Sequence, residues 1–353
     1  MATFDYGNTR LRARLSRLLT KEMLEEMTRA DNIDGFLSSL IKSAYKTSIE
    51  KALTVSSGIR SVQTFLETES ENLFLDYQKF YQDSAWEQVR LLFAFHDFLN
   101  IHTIVRGVLG NVPKKEIQDL LTRSGKIPFR ILRDLSVSPA FSILMSKMVA
   151  YHIPYADVLL KNQTVLPTMQ GAQIELLLEK DFYAEIFEEN SLLLEQSSFM
   201  KEYFSMHVDQ DNIVCALRII KNPEILSSKD FQIKECFINH GTMSKALFLS
   251  VAEEKDIEKA INRFSGTPYY ACLQEGLQKY QQSNLLTEFE ERLRKMLLKR
   301  ASQYPFEDPI GVGVPIGYFV RKTNEMHNIW WIAKGIQLGF DSADIIDHLE
   351  VLA

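Results

Sequence analysis

The sequence predicts an all-α protein built from three similar helical domains. Apolar residues recur at helical spacing along most of the 353 residues, while no stretch sustains the apolar-polar alternation of a half-buried strand. One polar motif also occurs three times at nearly equal intervals. The periodicity favours helices over a sheet, and the repetition indicates one helical unit present in three diverged copies.

The repeated motif is an acid three residues before an Asn-Ile pair, with a base six residues after the Asn. The acid, Asn and base are Asp97, Asn100 and Arg106 in the first copy, Asp209, Asn212 and Arg218 in the second, and Glu325, Asn328 and Lys334 in the third. The intervals between the Asn residues are 112 and 116 residues, which is the length of a domain and too long for a solenoid repeat. We therefore predict three units at residues 1–112, 113–227 and 228–353.

A second repeated element follows each motif. It is an acid and an apolar residue, found at Glu116-Ile117, Asp230-Phe231 and Asp344-Ile345, which begin 16, 18 and 16 residues after the respective Asn. Three matches in register at similar spacing are much harder to produce by chance than two. The downstream pairs therefore support the prediction of a common unit.

The motif is interpreted as structural. Residues three apart on a helix share a face, so the acid and the Asn lie together, whereas the base projects from roughly the opposite side. Such a pair suits a polar contact with a neighbouring helix or a backbone group. An active site instead needs convergent groups with different roles, and here each unit carries the same polar set.

The composition is that of a globular protein and excludes several other classes. Hydrophobic residues make up 46% of the chain and charged residues 24%, and the net charge of −6 argues against general nucleic-acid binding. The three cysteines, Cys215, Cys236 and Cys272, are too few and too widely spaced for a disulfide framework or a zinc site, so free thiols are expected. No signal peptide and no membrane-spanning segment are expected either.

The chain opens with a predicted basic amphipathic helix from Thr9 to Met27. Leu11, Leu15, Leu18 and Leu19 fall at helical spacing, and Arg10, Arg12 and Arg14 are among the bases interleaved with them. These arginines either form a solvated face on a core helix or contact an acidic partner or lipid headgroups. Arg10, Arg12 and Arg14 are therefore candidate partner contacts.

Further helices are predicted from apolar spacing, with Gly and Pro marking their ends. Two of these helices lie within 31–55, one follows the 265–269 turn, and the last follows a loop at 304–317. The others are predicted at 61–82, 86–108, 114–123, 129–151, 154–161, 169–189, 197–220, 228–237, 242–252, 254–264 and 284–303. Asp31 or Asp34 is the expected cap of the first of these.

No catalytic, cofactor-binding or metal-binding residue is predicted. The Gly311–Gly317 stretch lacks the Gly-Lys-Ser/Thr of a phosphate-binding loop, and the seven histidines include no His-Glu-x-x-His. Nucleophile-elbow and kinase motifs are also absent from the sequence. Trp330 and Trp331 are expected to pack in the core, with an interface anchor as the alternative.

Several short motifs together resemble one family. They are Tyr6-x-Asn8-x-Arg10-x-Arg12, Asp97-x-x-Asn100 with Arg106, Phe264-Ser-Gly-Thr-Pro268-Tyr269, and Asp308-Pro309-Ile-Gly311-Val-Gly313 ahead of the Asn328 helix. In this order they resemble the C subunit of V/A-type rotary ATPases, whose eukaryotic counterpart is the d subunit. The sequence departs from a uniform pattern at Arg218-Ile219, where the first and third motifs have a base followed by Gly.

The resemblance implies three helical domains arranged as a funnel and a non-catalytic role in the rotor. A protein of this kind connects the central stalk to the membrane proteolipid ring on the cytoplasmic face, and transmits torque for proton or sodium transport without a cofactor. Two alternatives remain open at this stage. One is a general helical scaffold with no rotary partner, and the other is an all-helical enzyme with a site formed between units.

Overall fold

A computed structural model describes residues 3–164, 166, 169, 171–222 and 232–352. Its regular secondary structure is helical throughout these ranges, and they contain no strand. This confirms the all-α fold. None of the described helices is long and apolar enough to cross a membrane. The funnel arrangement stays a prediction.

The chain divides into two compact units, one formed by residues 1–161 with 302–353 and the other by residues 162–301. The first unit contains the first and third motifs, and the second unit contains the second motif. The predicted limits at 112 and 227 follow the repeated sequence, and they also stay a prediction. Residue 227 and the Asp230-Phe231 pair lie outside the described residues.

Eleven helices lie in the amino-terminal part of the first unit. They are α1 (Asp5–Leu15), α2 (Lys21–Met27), α3 (Ile33–Ile41), α4 (Lys46–Val55), α5 (Ile59–Phe80), α6 (Asp83–Val89), α7 (Ala94–Leu109), α8 (Lys114–Asp119), α9 (Phe129–Ser136), α10 (Phe141–Ala150) and α11 (Ala156–Lys161). A short 3₁₀ helix at Arg90–Phe93 precedes α7.

Nine more helices lie in the described residues of the rest of the chain. They are α12 (Gly171–Ala184), α13 (Ser191–Glu195), α14 (Ser198–Lys221), α15 (Lys245–Ala252), α16 (Ile257–Asn262), α17 (Tyr270–Ser283), α18 (Thr287–Glu307), α19 (Gly313–Leu338) and α20 (Ser342–Asp347). A π-helical turn at Glu185–Glu189 follows α12, and a 3₁₀ helix at Ile233–Glu235 precedes α15.

Some predicted helix limits were wrong, for local reasons. The predicted Thr9–Met27 helix is two helices, because the Thr20 side chain accepts a hydrogen bond from the Met23 N–H and starts α2 anew. Pro139 lies between α9 and α10, where one helix was expected. The cap of α3 is Asn32, and neither Asp31 nor Asp34 fills that place.

Each unit has its own apolar core. In the first unit, Phe36, Leu40 and Phe65 of the amino-terminal helices share a buried cluster with Ile329 and Ile332 of α19. Trp330 and Trp331 pack against this cluster, as their expected core role requires. A second cluster lies in the other unit around α14, and its fully buried members include Ile213, Phe248, Phe264, Leu273 and Phe289.

Candidate functional site

The first motif forms a polar clamp on the segment that precedes α9. The Asn100 side chain donates to the Thr122 carbonyl at 3.0 Å, and the Thr122 N–H donates to Asn100 Oδ1 at 2.8 Å. The Asp97 carboxylate accepts the N–H groups of Lys126 at 2.7 Å and Ile127 at 2.9 Å. Four hydrogen bonds from one face of α7 therefore hold both ends of the linking segment.

The second motif clamps the segment before α15 in the same way. Asn212 donates to the Ile238 carbonyl at 2.8 Å and accepts the Ile238 N–H at 2.9 Å. Asp209 accepts the N–H groups of Thr242 and Met243, each at 2.9 Å. It also accepts the hydroxyl groups of Thr242 at 2.5 Å and Tyr269 at 2.6 Å. Both motif side chains are fully buried, so these bonds are shielded from water.

A glycine makes room for the carboxylate in each of these two clamps. A Cβ on Gly125 would stand 2.0 Å from Asp97 Oδ1, and a Cβ on Gly241 would stand 2.0 Å from Asp209 Oδ1. Sequence reasoning missed both residues. A signal was present, because each glycine stands three residues before the residue that caps the next helix, Pro128 or Ser244.

The third motif keeps the Asn clamp but uses its acid differently. Asn328 donates to the Glu350 carbonyl at 2.7 Å and accepts the Glu350 N–H at 3.3 Å. The Glu325 carboxylate accepts the Leu19 N–H and the Tyr45 hydroxyl, and so faces the amino-terminal helices. Helix α19 is thus tied both to the segment after it and to the start of the chain.

A buried charged network surrounds Glu325. The Lys322 ammonium donates to Tyr45 at 2.6 Å and to Glu69 at 3.0 Å, and it lies 3.5 Å from a Glu325 oxygen. Burial by itself raises the pKa of Glu69, but the Lys322 ammonium lowers it further, so the pKa lies below its usual value. Burial, followed by the Glu325 carboxylate, raises the pKa of Tyr45. The network therefore holds two carboxylates, one ammonium and a neutral phenol together inside the first unit.

The bases of the second and third motifs have partners outside the clamps. Arg106 is exposed, Arg218 donates to Glu290 at 2.8 Å, and Lys334 donates to Gln337 at 3.1 Å. The residue after the base has a packing role in two copies, since a Cβ on Gly107 would meet Ile117 at 2.5 Å and one on Gly335 would meet Ile345 at 2.6 Å. The acid and the Asn thus form the polar side of the motif. In the first and third copies, the glycine after the base makes a separate close contact with an isoleucine.

The candidate partner residues on α1 differ in what they contact. Arg14 pairs with Asp76 at 2.8 Å and lies 5.1 Å from the Phe80 ring centre. Arg12 is exposed and donates to the Pro309 carbonyl, and Arg10 is exposed and donates to the Tyr6 hydroxyl at 3.3 Å. Arg14 is therefore used inside the first unit, whereas Arg10 and Arg12 keep surface for a partner.

The loop contacted by Arg12 is held rigidly. The Asp308 carboxylate accepts the N–H groups of Gly311 and Gly313, each at 2.9 Å. Asn8 donates to the Gly311 carbonyl at 3.0 Å and accepts the Tyr81 hydroxyl at 2.8 Å. The Asp308–Gly313 stretch is thus tied to α1 and, through Asn8, to Tyr81, the residue that directly follows α5.

The side chains of the three motifs make structural contacts. Over the described ranges, no group of three or more His, Cys, Asp or Glu side chains is placed to hold a metal ion. The clamps bind backbone groups of the chain itself, so their carboxylate and amide atoms are already occupied. The arrangement can hold long helices in fixed register with the segments that follow them.

The family model described as ATP synthase (C/AC39) subunit matches residues 7–348. Three relatives, each named as the C subunit of an A-type ATP synthase, align over nearly the whole chain. Each alignment covers 99% of this chain. The protein of Pyrococcus abyssi is 25% identical and is covered over 91% of its own length. The protein of Haloferax volcanii is 23% identical and covered over 97% of its length, and that of Methanosarcina mazei is 24% identical and covered over 94% of its length.

Proposed function

The chain belongs to the ATP synthase (C/AC39) subunit family, and from that premise we propose that it is a non-catalytic rotor subunit. In this role it connects the central stalk to the membrane proteolipid ring, on the cytoplasmic face, and transmits torque for ATP-coupled proton or sodium transport. The relatives bear the name of an ATP synthase subunit, which supports membership of such a complex. The net charge of −6 supports protein partners and not nucleic acid.

The observation that carries the proposal is the set of buried clamps on α7, α14 and α19. A part that transmits torque must not twist under load, so its long helices need fixed contacts with the rest of the body. Each clamp combines a two-bond Asn contact with a buried acid, and buried hydrogen bonds resist the local opening that would make the body compliant. Close packing around them adds to this stiffness.

The test is recovery of the complex from gently solubilised membranes of the source with a tagged chain. Co-purification of a proteolipid ring, a central stalk and a nucleotide-binding head supports the proposal. Recovery of unrelated soluble partners in their place would favour a general helical scaffold. A substrate-dependent activity of the purified chain would contradict the non-catalytic role.

Charge reversal on α1 then locates a contact. The double variant Arg10→Glu and Arg12→Glu should reduce recovery of the stalk or the ring severalfold, because both side chains are exposed and positively charged. Lys51→Glu and Lys79→Glu is a matched double control, since these are exposed bases on other helices. Equal recovery from both double variants, with unchanged circular dichroism, would rule out the α1 arginines as a contact.

A further inference from the structure

A cavity of about 270 Å³ lies in the second compact unit, apart from the clamp contacts. Its wall includes the carboxylates of Glu179 and Asp211, the guanidinium of Arg218 and the thiols of Cys215 and Cys236. Cys215 lies on α14, three residues after Asn212, and Cys236 directly follows the 3₁₀ helix Ile233–Glu235. The proposed function uses neither thiol.

Both cysteines line this cavity, and the two hydrogen bonds between Asn212 and Ile238 bring the segment that carries Cys236 alongside the part of α14 that carries Cys215. Both are free cysteines, and both pack in the apolar cluster around α14. Cys236 is 2% exposed, while Cys215 is half-buried. A small oxidant that enters the cavity can therefore meet two cysteines on one wall, whereas Cys272 does not line this cavity and donates to the Tyr269 carbonyl at 3.1 Å.

The surroundings of the pair give its two members different reactivity. The Lys180 ammonium is held beside Cys236, because it donates to the carbonyl of the preceding residue, Glu235. The neighbouring Cys215 thiol, followed by this ammonium, lowers the pKa of Cys236. The neighbouring Cys236 thiol, followed by burial, raises the pKa of Cys215. Cys236 is thus the member that ionises, and the thiolate is the form that attacks an oxidant.

We propose that Cys215 and Cys236 form a reversible dithiol–disulfide site that is oxidised by hydrogen peroxide or another small hydroperoxide. This inference concerns the chain alone and does not rest on the proposed function.

The chemistry runs in two balanced steps. The Cys236 thiolate attacks one peroxide oxygen, the O–O bond breaks, and the released hydroxide takes up a proton to leave water and a sulfenic acid on Cys236. The Cys215 sulfur then attacks the Cys236 sulfur, the S–O bond breaks, and the hydroxide leaves as water with the Cys215 proton. Two thiols are oxidised and one peroxide is reduced to two waters. A dithiol reductant reverses the change by exchange.

Oxidation would add a covalent tie beside the second clamp. Cys236 stands two residues before Ile238, whose backbone Asn212 already holds. A disulfide from Cys215 would therefore fasten the same linking segment to the same helix.

The experiment treats the reduced full chain with a small molar excess of hydrogen peroxide. The chain is then unfolded in urea, alkylated with N-ethylmaleimide, and mapped by mass spectrometry. We expect alkylation of one thiol in place of three, a disulfide-linked peptide pair containing Cys215 and Cys236, and recovery of all three thiols with dithiothreitol. Three alkylated thiols after peroxide, or a disulfide that includes Cys272, would overturn the proposal.

Three variants separate the roles. Cys272→Ala should form the disulfide as before. Cys215→Ala should stop at the sulfenic acid, which dimedone labels on Cys236. Lys180→Met should slow the oxidation near pH 7 and leave its rate unchanged at high pH, where Cys236 is ionised without help. Dimedone labelling of Cys272 in place of Cys236, or a Lys180→Met rate equal to wild type at every pH, would contradict the assigned order of attack.

Discussion

The Asn212 clamp provides a direct test of the structural role of the motifs. Replacing Asn212 by alanine removes both hydrogen bonds to Ile238. The buried N–H and carbonyl of Ile238 are then left without these partners. A buried backbone group without a partner costs about 1–3 kcal/mol, so the loss for two groups is roughly 3 kcal/mol or more. Since about 1.4 kcal/mol corresponds to a factor of ten, the clamped segment should open on the order of 100-fold more often.

Hydrogen exchange measured by mass spectrometry reports this opening directly. Peptides that cover 232–243 should exchange on the order of 100-fold faster in Asn212→Ala than in wild type. Asn262→Ala is the matched control, because Asn262 is exposed and its side chain accepts from two other side chains, Tyr270 at 3.3 Å and Gln274 at 3.2 Å, with no contact to the clamped segment among the described residues. If Asn212→Ala leaves exchange in this segment within about threefold of the control, the clamp does not hold the segment and the reasoning fails.

Three further changes test the neighbouring groups. Gly125→Ala should lower the urea midpoint of unfolding, because its Cβ would stand 2.0 Å from Asp97 Oδ1, and the free energy of unfolding should fall by about 2 kcal/mol. The control Gly171→Ala should leave the midpoint unchanged, because a Cβ at Gly171 meets open space. Equal midpoints for the two would contradict the close approach. Lys322→Met should destabilise the chain by about 3–5 kcal/mol in urea unfolding, since Glu69 and Glu325 would remain buried without their cation, while the exposed control Lys79→Met should change stability little. Similar midpoints for these two variants would show that the buried network contributes little. Burial, followed by the Asp211 and Glu175 carboxylates, raises the pKa of Glu179 from 4.5 to about 8. Because the unfolded chain loses this proton first, Glu179 destabilises the folded state increasingly between about pH 4.5 and pH 8. Glu179→Gln should therefore raise the thermal midpoint more at pH 9 than at pH 5, and a gain that does not depend on pH would refute that assignment.

The comparison of Asp209 with Glu325 shows how far sequence reasoning reaches. The spacing of acid and Asn predicts that the two side chains share one helix face, and Asp209 and Asn212 both bind the backbone of the 238–243 segment. The spacing could not show that Glu325 turns to Leu19 and Tyr45, because those residues stand about 300 positions away in the chain. The third acid therefore has the same place in the motif and a different partner.

Local signals also limited the prediction of helix ends. Thr20 and Asn32 start α2 and α3 through side-chain caps, yet the sequence offers several Asp, Asn, Ser and Thr residues nearby with similar capping preference. The importance of Gly125 and Gly241 depends on the position of the Asp97 and Asp209 carboxylates, which the sequence does not give. A close approach between distant residues leaves no periodic trace in the chain.

The sequence by itself determined the helical class, the three motif helices and the absence of recognisable catalytic motifs. These properties depend on residue spacing within single helices, which apolar periodicity and the acid-Asn interval record directly. Only the tertiary structure decided which backbone each clamp holds, that Lys322 lies between two buried carboxylates, and that Cys215 and Cys236 line one cavity. Those outcomes depend on packing between segments far apart in the chain, and such packing is set by the whole core and not by any local pattern.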